Sequence, residues 1–487
     1  MFTAWRRFST KMKLVPHFDP EIVKKFKDET MHPRRHPGRV LTPAYQVPEK
    51  IYESIKKVLE DESIACLRND AIILTNYLRE RLRPVEQEEV AQKAQLMQDR
   101  VREKYNISNA KKLSPKVIDK AKKEVVKSLL RHTYIWTAMD FSGYLCYTYL
   151  VGRSAAEYAI VSTIFAEINK RDPSFQPKSV FDFGSGVGTV IWASQGVWED
   201  SIKEYYCVDS SSKMQDISRQ ILALEQPKKR LVKAQVYFRQ FLPISSQRKY
   251  NIVVSAFSLL ELPDAKSRLE TLSNLWDKTQ DYLVLVELGT HGGFQVINEA
   301  RDFLLGLFSK GRKQSFDSHV FAPCPHDMKC PKMSRNEKCF FEKAFIQNPF
   351  DNKERRAKET YSYVVLRRKR ESRMILVACL LFLKPVLVRT EHSHCRICTA
   401  HGTYEDICFQ KDKTLLPYWS VRMSEWGDRL PITDFSKEPT LSNEPPELIP
   451  KPHIQNAQPS ENADKSQTQE VLDFREDGSK QQKDNNT

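Results

Sequence analysis

Val180-Phe181-Asp182-Phe183-Gly184-Ser185-Gly186-Val187-Gly188-Thr189 reads as a buried strand running into a glycine turn, and Val190-Ile191-Trp192-Ala193 continues it as the start of a helix. Glycines at alternating positions let the backbone take positive φ and let a ligand approach closely. The helix start adds unpaired N–H groups. A strand, a tight turn and a helix in that order suit a nucleotide-like ligand.

The dinucleotide fingerprint spaces its glycines G-x-G-x-x-G, whereas here the spacing is G-x-G-x-G with Asp182 two residues before the first glycine. The turn is similar to motif I of the S-adenosylmethionine (SAM) methyltransferases. About twenty residues on, Glu204-Tyr205-Tyr206-Cys207-Val208-Asp209 gives a second strand ending in an acid placed to hold ribose hydroxyls. Further strands are expected at Ala234 to Phe238, Tyr250 to Phe257 and Tyr282 to Glu287, with helices at Lys213 to Leu224 and Ala265 to Asp277. Alternation at this spacing means a parallel sheet with helices on both faces. Ligand belongs at the carboxyl ends of its strands, where Gly184, Asp209, Ser255 and Glu287 fall. The expected class is α/β, a SAM-methyltransferase-like Rossmann fold with a parallel-sheet core. Its cofactor-binding residues would be Asp182, Gly184, Gly186, Gly188, Asp209 and Ser255.

The acceptor chemistry of such enzymes is not legible. A methyltransferase acting on an exocyclic base nitrogen usually carries Asn or Asp followed by Pro-Pro-Tyr after the fourth strand, and this chain has Ser255-Ala256-Phe257-Ser258 there. A cytosine C5 enzyme needs a cysteine nucleophile near the same point, and none is present. No catalytic residue is assigned.

The 487 residues suffice for two or three domains, and the formal net charge of +15 favours a polyanionic partner such as RNA. Residues 1–13 carry cations and hydroxyls without an acid, the make-up of a mitochondrial presequence. Residues 14–47, rich in Pro, His and Arg, read as an extended basic arm, and 48–150 as a helical N-terminal region. There Ile72, Leu74, Tyr77 and Leu78 recur at helical spacing, and a helix starting at Ser114-Pro115 carries Lys116, Lys120, Lys122, Lys123 and Lys127 on a basic face that would meet RNA or only solvent. The Rossmann domain is expected over 151–310, where Arg153 and Tyr158 would line the pocket or simply pack. A cysteine-rich extension with the final strands follows over 311–432, and a disordered tail over 433–487. The longest apolar run, Met374 to Leu383, is about ten residues and too short to span a bilayer, so no membrane insertion is expected.

Ten cysteines are present, several of them crowded between Cys324 and Cys408, which points to metal before disulfides. Cys324-Pro325-His326-Asp327 leads to Cys330-Pro331 and then Cys339, and a second group lies at His392-Ser393-His394-Cys395-Arg396-Ile397-Cys398. Four thiolates hold either zinc or an iron–sulfur cluster. The wide Cys324 to Cys330 spacing and the two Cys-Pro pairs favour the cluster. Cys66, Cys146, Cys207 and Cys379, in apolar settings, read as core.

The basic start, the glycine turn, Glu287-Leu288-Gly289-Thr290-His291-Gly292-Gly293-Phe294, the Cys-Pro-His motif and Ser424-Glu425-Trp426-Gly427-Asp428 together resemble the mitochondrial methyltransferase-like protein 17 family. The resemblance covers roughly residues 35 to 432, and the cysteine pattern is its most specific part. It implies a matrix protein, monomeric off the ribosome, that binds the mitochondrial small ribosomal subunit and its rRNA during assembly and carries a structural [4Fe-4S] cluster. The metal ligands it implies are Cys324, Cys330, Cys339 and Cys398, with Cys395 the nearby alternative. One departure is the apolar run Met374 to Leu383, where the family is more polar; it reads as a strand packed on the sheet or as a fault in the gene model. An active SAM-dependent rRNA methyltransferase is the alternative reading.

Overall fold

The computed structural model describes residues 13–438 apart from 106–114, 224–227, 244–247, 308–316, 351–354, 369–378, 412–414 and the single positions 19, 33, 34, 37, 41, 229 and 349. Ser114, most of the expected presequence and tail, and residues 374–378 of the apolar run lie outside the described residues. The chain opens with β1 (Lys13–Phe18) and α1 (Pro20–Lys27), then α2 (Glu49–Val58), α3 (Ile64–Glu80), α4 (Gln87–Lys104), α5 (Pro115–His132) and the long α6 (Tyr144–Arg171). Alternation follows: β2 (Ser179–Phe183), α7 (Thr189–Trp198), β3 (Glu204–Val208), α8 (Ser212–Ile221), β4 (Gln235–Arg239), β5 (Tyr250–Ala256), α9 (Ala265–Lys278), β6 (Thr279–Leu288) and α10 (His291–Leu304). The remainder is β7 (Ser318–Ala322), β8 (Phe341–Ile346), β9 (Arg356–Arg368), β10 (Cys379–Phe382), β11 (Leu387–Val388), β12 (His392–Cys398), β13 (Tyr404–Gln410), α11 (Leu415–Arg422) and β14 (Arg429–Glu438).

The main sheet runs β4-β3-β2-β5-β6-β9-β7, with β8 also paired to β9. Its first five strands are parallel, and β9 enters antiparallel to β6. Strand periodicity sorts the apolar residues to two faces. Val180, Ile252, Val254, Tyr282 and Val284 meet α6, α7 and α8 on one side, while Phe181, Val253, Leu283 and Leu285 meet α9 and α10 on the other. This is the α/β methyltransferase-like architecture expected. The order reverses at β2, between β3 and β5, which places the ligand crevice beyond the glycine turn.

Several boundaries differ from the expectation. Strands β7, β8 and β9 belong to the main sheet, so it draws on the chain to residue 368 and does not stop at 310. The second sheet, β1-β14-β10-β12-β11 with β13 on β12, holds the end of the apolar run as β10. It covers a core of Leu380, Phe382, Cys395, Ile397, Phe409 and Leu430, with Ile22 and Phe26 of α1. Residues 433–438 fall in β14, paired with β1, and not in a tail. Nor is 14–47 an extended arm. Arg39 is buried and donates to Asp428 (3.1 Å) and Glu425 (2.8 Å), and Asp428 also accepts from Val40 N–H (2.6 Å) and Glu425 N–H (2.8 Å). Arg39 is thus spent on carboxylates almost four hundred residues away in sequence, which a local reading cannot pair.

In α3 the buried stripe is Leu67, Ala71, Leu74 and Leu78, at i, i+4, i+7 and i+11, whereas Ile72 and Tyr77 are exposed. Cys146 and Cys207 are buried as expected, but Cys66 is exposed on the outer side of that helix. None of the described cysteines is in a disulfide. No described helix is long and apolar enough to cross a membrane. Because Asp428 collects three donors in a buried site, Asp428→Ala should cost about 3 kcal/mol in urea unfolding, the scale of a buried ion pair losing one partner. Asp428→Asn, which keeps one acceptor oxygen but turns an NH2 group toward the other N–H donor, should recover only part of that loss.

Candidate ligand cavity and cysteine centre

The glycine turn is fixed from below by β3. The N–H groups of Gly184 and Ser185 both donate to Val208 O, at 2.8 and 3.0 Å. Asp209 then clamps the turn to α8: one carboxylate oxygen accepts from Gly186 N–H (2.7 Å) and the other from Ser211 N–H (2.9 Å). Sequence reading gave this acid to a ribose; the structure shows it first shaping the loop, with lone pairs left over on both oxygens. Burial raises its pKa against the pull of those two N–H bonds.

A cavity of about 340 Å³ opens over this turn. At Gly186, φ is +48° and a Cβ would meet nothing within 4 Å, so the backbone itself forms the wall there and faces open space. At Gly184 a Cβ would stand 2.4 Å from that of Ser258, so only glycine fits. Gly188, Asp182 and Ser255 do not line the cavity. Gly188 packs closely on Ser218 of α8. Ser255 is fully buried and pairs its hydroxyl at 2.7 Å with that of Ser258, the serine that does reach the wall. Asp182 lies beneath the turn with both carboxylate oxygens buried and without a hydrogen-bond partner among the described residues. Burial and the nearby Asp209 push its pKa well up, toward a neutral acid.

The far end of the cavity is built largely by side chains from distant segments, few of which local patterns revealed. Arg81, at the end of α3, donates to both oxygens of Glu261 (2.6 and 2.8 Å) and to Thr137 O (3.0 Å). Arg153, buried in α6, pairs with Glu359 and Glu157, and Tyr149 donates to Glu157 at 2.6 Å. Arg153 and Glu157 line the cavity, whereas Tyr158 does not. Phe257 holds φ +58°, an unusual backbone for an aromatic residue, and its ring faces the Arg153 guanidinium at 5.8 Å. Glu287 is buried at the end of β6, accepts from Leu260 N–H (3.1 Å), and is pushed up to about 8 by burial. Of these, the sequence marks Arg153 as a candidate pocket residue and Glu287 as an acid at a strand end; Arg81, Glu261 and Glu157 leave no local signal. No cysteine lines the described wall, and its arginines, Arg81 and Arg153, are already paired with carboxylates.

The second constellation joins two chain segments, the β7–β8 connection and the end of β12. Cys324 and Cys330 sit in the loop after β7, Cys339 precedes β8, and Cys398 ends β12. The Cys398 thiol feels the charges of Cys324, Cys339 and Cys330, and Cys339 those of Cys330 and Cys324, so these four lie in one electrostatic neighbourhood. Burial, then the charge of neighbouring thiols, raises the pKa values of Cys330, Cys339 and Cys398; Cys330 is pushed up to about 11. Cys395 faces the other way, its thiol donating to Ile407 O at 3.5 Å inside the second core. His326 Nε2 lies 3.3 Å from Cys398 Sγ. Arg301 of α10 is buried beside the group and donates to the carbonyls of His326 (2.8 Å) and Met328 (2.6 Å). No three His, Cys, Asp or Glu side chains among the described residues are arranged to hold a single metal ion.

The parallel sheet, its clamped glycine turn and a cavity at the strand ends define a methyltransferase-like Rossmann protein, here carrying a thiol-rich second sheet. Over residues 144–431 the sequence matches the family described as mitochondrial small ribosomal subunit Rsm22, and the chain belongs to that family. The human ribosome assembly protein METTL17, mitochondrial, is 33% identical over 421 residues, 85% of this chain and 89% of that one. The Rsm22-cox11 tandem protein 2, mitochondrial, of Schizosaccharomyces pombe is 28% identical over 227 residues, 39% of this chain and 30% of that one. Among solved structures, magnesium protoporphyrin IX methyltransferase from Synechocystis, with bound SAM, matches at 15% identity and a TM-score of 0.29, covering 54% of this chain and 100% of that one. A SAM-dependent methyltransferase from Aquifex aeolicus matches at 12% identity and a TM-score of 0.26, covering 45% of this chain and 95% of that one.

Glu287 gives a pH test. Its ordinary value is 4.5 and its folded value about 8, so between these the native protein binds a proton that the unfolded chain has released. Its contribution to stability is fully present below 4.5 and is lost as pH rises to 8. Glu287→Gln removes this dependence. Urea unfolding should therefore shift in the variant's favour, relative to the parent chain, by up to about 1.4 kcal/mol per pH unit across that window.

Proposed function

We propose that this chain is a matrix protein that assembles the mitochondrial small ribosomal subunit by binding its rRNA, with the Rossmann sheet and a [4Fe-4S] cluster on Cys324, Cys330, Cys339 and Cys398 as one rigid platform. The observation that carries this reading, beside family membership, is the gathering of those four thiols from two segments against the buried Arg301. Their mutual repulsion opposes four bare thiolates in a buried site, and Arg301 supplies one positive charge. A cluster would supply the rest. Where such a cluster forms, its binding free energy adds to folding, because the unfolded chain holds no such site.

A second reading, a SAM-dependent rRNA methyltransferase, is favoured by one observation: the open space over Gly186 beside the lone pairs of Asp209. SAM when bound is a donor of methyl groups. The chain's own residues would hold it, through the turn backbone at Gly184 to Gly186 and the Asp209 carboxylate. The acceptor side argues for assembly without methylation, since Arg81, Glu261, Arg153 and Glu157 are engaged with one another.

Two variants separate these readings. Gly186→Arg should abolish the heat of SAM binding in calorimetry, as the side chain fills the open space and the positive φ becomes strained. In cells lacking the chain it should still restore small-subunit assembly; an rRNA methyl mark restored by the parent chain and not by the variant would establish the methyltransferase instead. Anaerobically purified protein should be brown, with about four irons per chain. Cys330→Ser should lose the iron, become protease-sensitive between Phe321 and Cys398, and bind small-subunit rRNA less well while the sheet stays folded. One zinc in a colourless protein would remove the iron–sulfur assignment, and full rRNA binding by the metal-free variant would remove the cluster's part in function.

A further inference from the structure

Helices α4 and α5 form a hairpin whose main packing is internal. Tyr105 donates to Glu124 at 2.8 Å and Lys104 pairs with the same carboxylate, which draws that acid toward α4. Val101 and Ala121 are buried in the seam. On the other side of α5, Lys116, Lys120, Lys123, Lys127 and Arg131 stand at i, i+4, i+7, i+11 and i+15, a single stripe of an α-helix, and all five are exposed. At 1.5 Å per residue the stripe is about 22 Å long. Lys123 is paired with the exposed Asp119, while Lys116, Lys127 and Arg131 form no ion pair among the described residues.

The hairpin's base is tied to the mouth of the ligand cavity. Glu86 pairs with the buried Arg268 (2.8 Å) and accepts from Ala265 N–H, while Trp136 Nε1 donates to Leu260 O (3.1 Å). Ala138 and Met139, just beyond α5, line the cavity. The stripe therefore runs from the hairpin tip toward the cavity mouth, where the Arg81 guanidinium lies between the rings of Tyr77 and Trp136 at 6.0 and 5.9 Å.

We propose that this stripe is an RNA-binding surface: the cations of α5 track a ribose-phosphate backbone and lead it to the cavity mouth. The proposal rests on the rRNA-binding reading above and assigns it a surface. A straight file of cations is complementary to a polymer with one charge per repeat. A membrane suits it less well, because a helix lying in a bilayer needs a broad apolar face, and α5 turns its apolar face to α4, leaving Val126 and Leu130 as its exposed large apolar residues.

The test uses the full chain with a fluorescent single-stranded RNA of mixed sequence, titrated over a range of salt concentrations. Replacing Lys116, Lys120, Lys123 and Lys127 together by Gln should weaken binding roughly tenfold or more at low salt and flatten the salt slope by about 0.7 for each phosphate no longer neutralised. The same four positions changed to Arg should keep affinity and slope. A control removing four exposed lysines elsewhere, Lys24, Lys25, Lys27 and Lys57, should change neither. An unchanged slope in the stripe variant, or an equal loss in the control, overturns the proposal while leaving RNA binding intact. Failure of the parent chain to bind RNA overturns the reading beneath it. Stripe-dependent binding to vesicles with anionic lipids, in place of RNA, would assign the surface to a membrane and overturn it as well.

Discussion

The antiparallel entry of β9 beside β6 is the constraint on which the two halves of this protein depend. Seven consecutive residue pairs, from Tyr282 with Arg367 to Leu288 with Tyr361, place β9 at the end of the parallel sheet. Its other edge then receives β7 near one end and β8 near the other. The loop with Cys324 and Cys330 and the approach to Cys339 are thereby fixed to the sheet, and Ser362 in β9 donates to Cys339 O at 2.8 Å. The same strand reaches the helical side of the molecule. Glu359 pairs with Arg153 and Arg79, and Tyr363 donates to Glu167 at 2.9 Å. A strand that holds Arg153 of the cavity wall, meets the long α6 and fixes the cysteine loop cannot shift register without disturbing all three.

Buried charge joins the second sheet to this frame. Arg429, at the start of β14, donates to Phe321 O (3.2 Å) and Pro323 O (2.9 Å), the carbonyls just before Cys324. Gly38 O accepts from Arg429 N–H at 2.7 Å, and a side chain at Gly38 would strike that backbone. One arginine thus ties the N-terminal segment, the final strand and the entrance to the cysteine loop. Such ties specify geometry more than they add stability, since desolvating an ion offsets most of its attraction. Their strength appears when one partner is removed and the other is left buried.

The parallel half of the fold was legible because its signals are local: Val180 to Thr189 carries its own strand, turn and helix start, and the later strands announce themselves as short apolar runs. The edge strands were not, because β7, β8 and β1 take their meaning from partners distant in sequence. In α3, Ile72 and Tyr77 satisfied a helical spacing that in fact belongs to Leu67, Ala71, Leu74 and Leu78; hydrophobicity alone does not say which of two apolar stripes is covered. The choice between Cys395 and Cys398 turns on strand parity. Three residues apart in β12, they point to opposite faces, and only the topology says which face meets Cys324. At the cavity, the glycine turn was readable and the wall from Arg81, Glu261 and Glu157 was not, since its members come from α3, the segment after β5 and α6.

That division between a readable and an unreadable end is physical. The turn end of the cavity is made by backbone, whose demands for glycine and for an acid at Asp209 leave a sequence trace. The far end is made by side chains that neutralise one another, and mutual neutralisation can be reached by many residue combinations. Its balance also shapes what the end can do. Arg81 and Glu261 hold each other in a two-point pair, Arg153 is held between Glu157 and Glu359, and Glu287 is held toward its neutral form by burial. A group that activates an acceptor needs an unshared lone pair at hydrogen-bond distance from the proton it removes. At this far end the Glu261 and Glu157 carboxylates are committed to guanidinium groups, and Glu287, which has no such partner, prefers to keep its proton. The geometry therefore keeps one end of the cavity as an open, backbone-made turn while committing the far side to joining α3, α6 and the sheet.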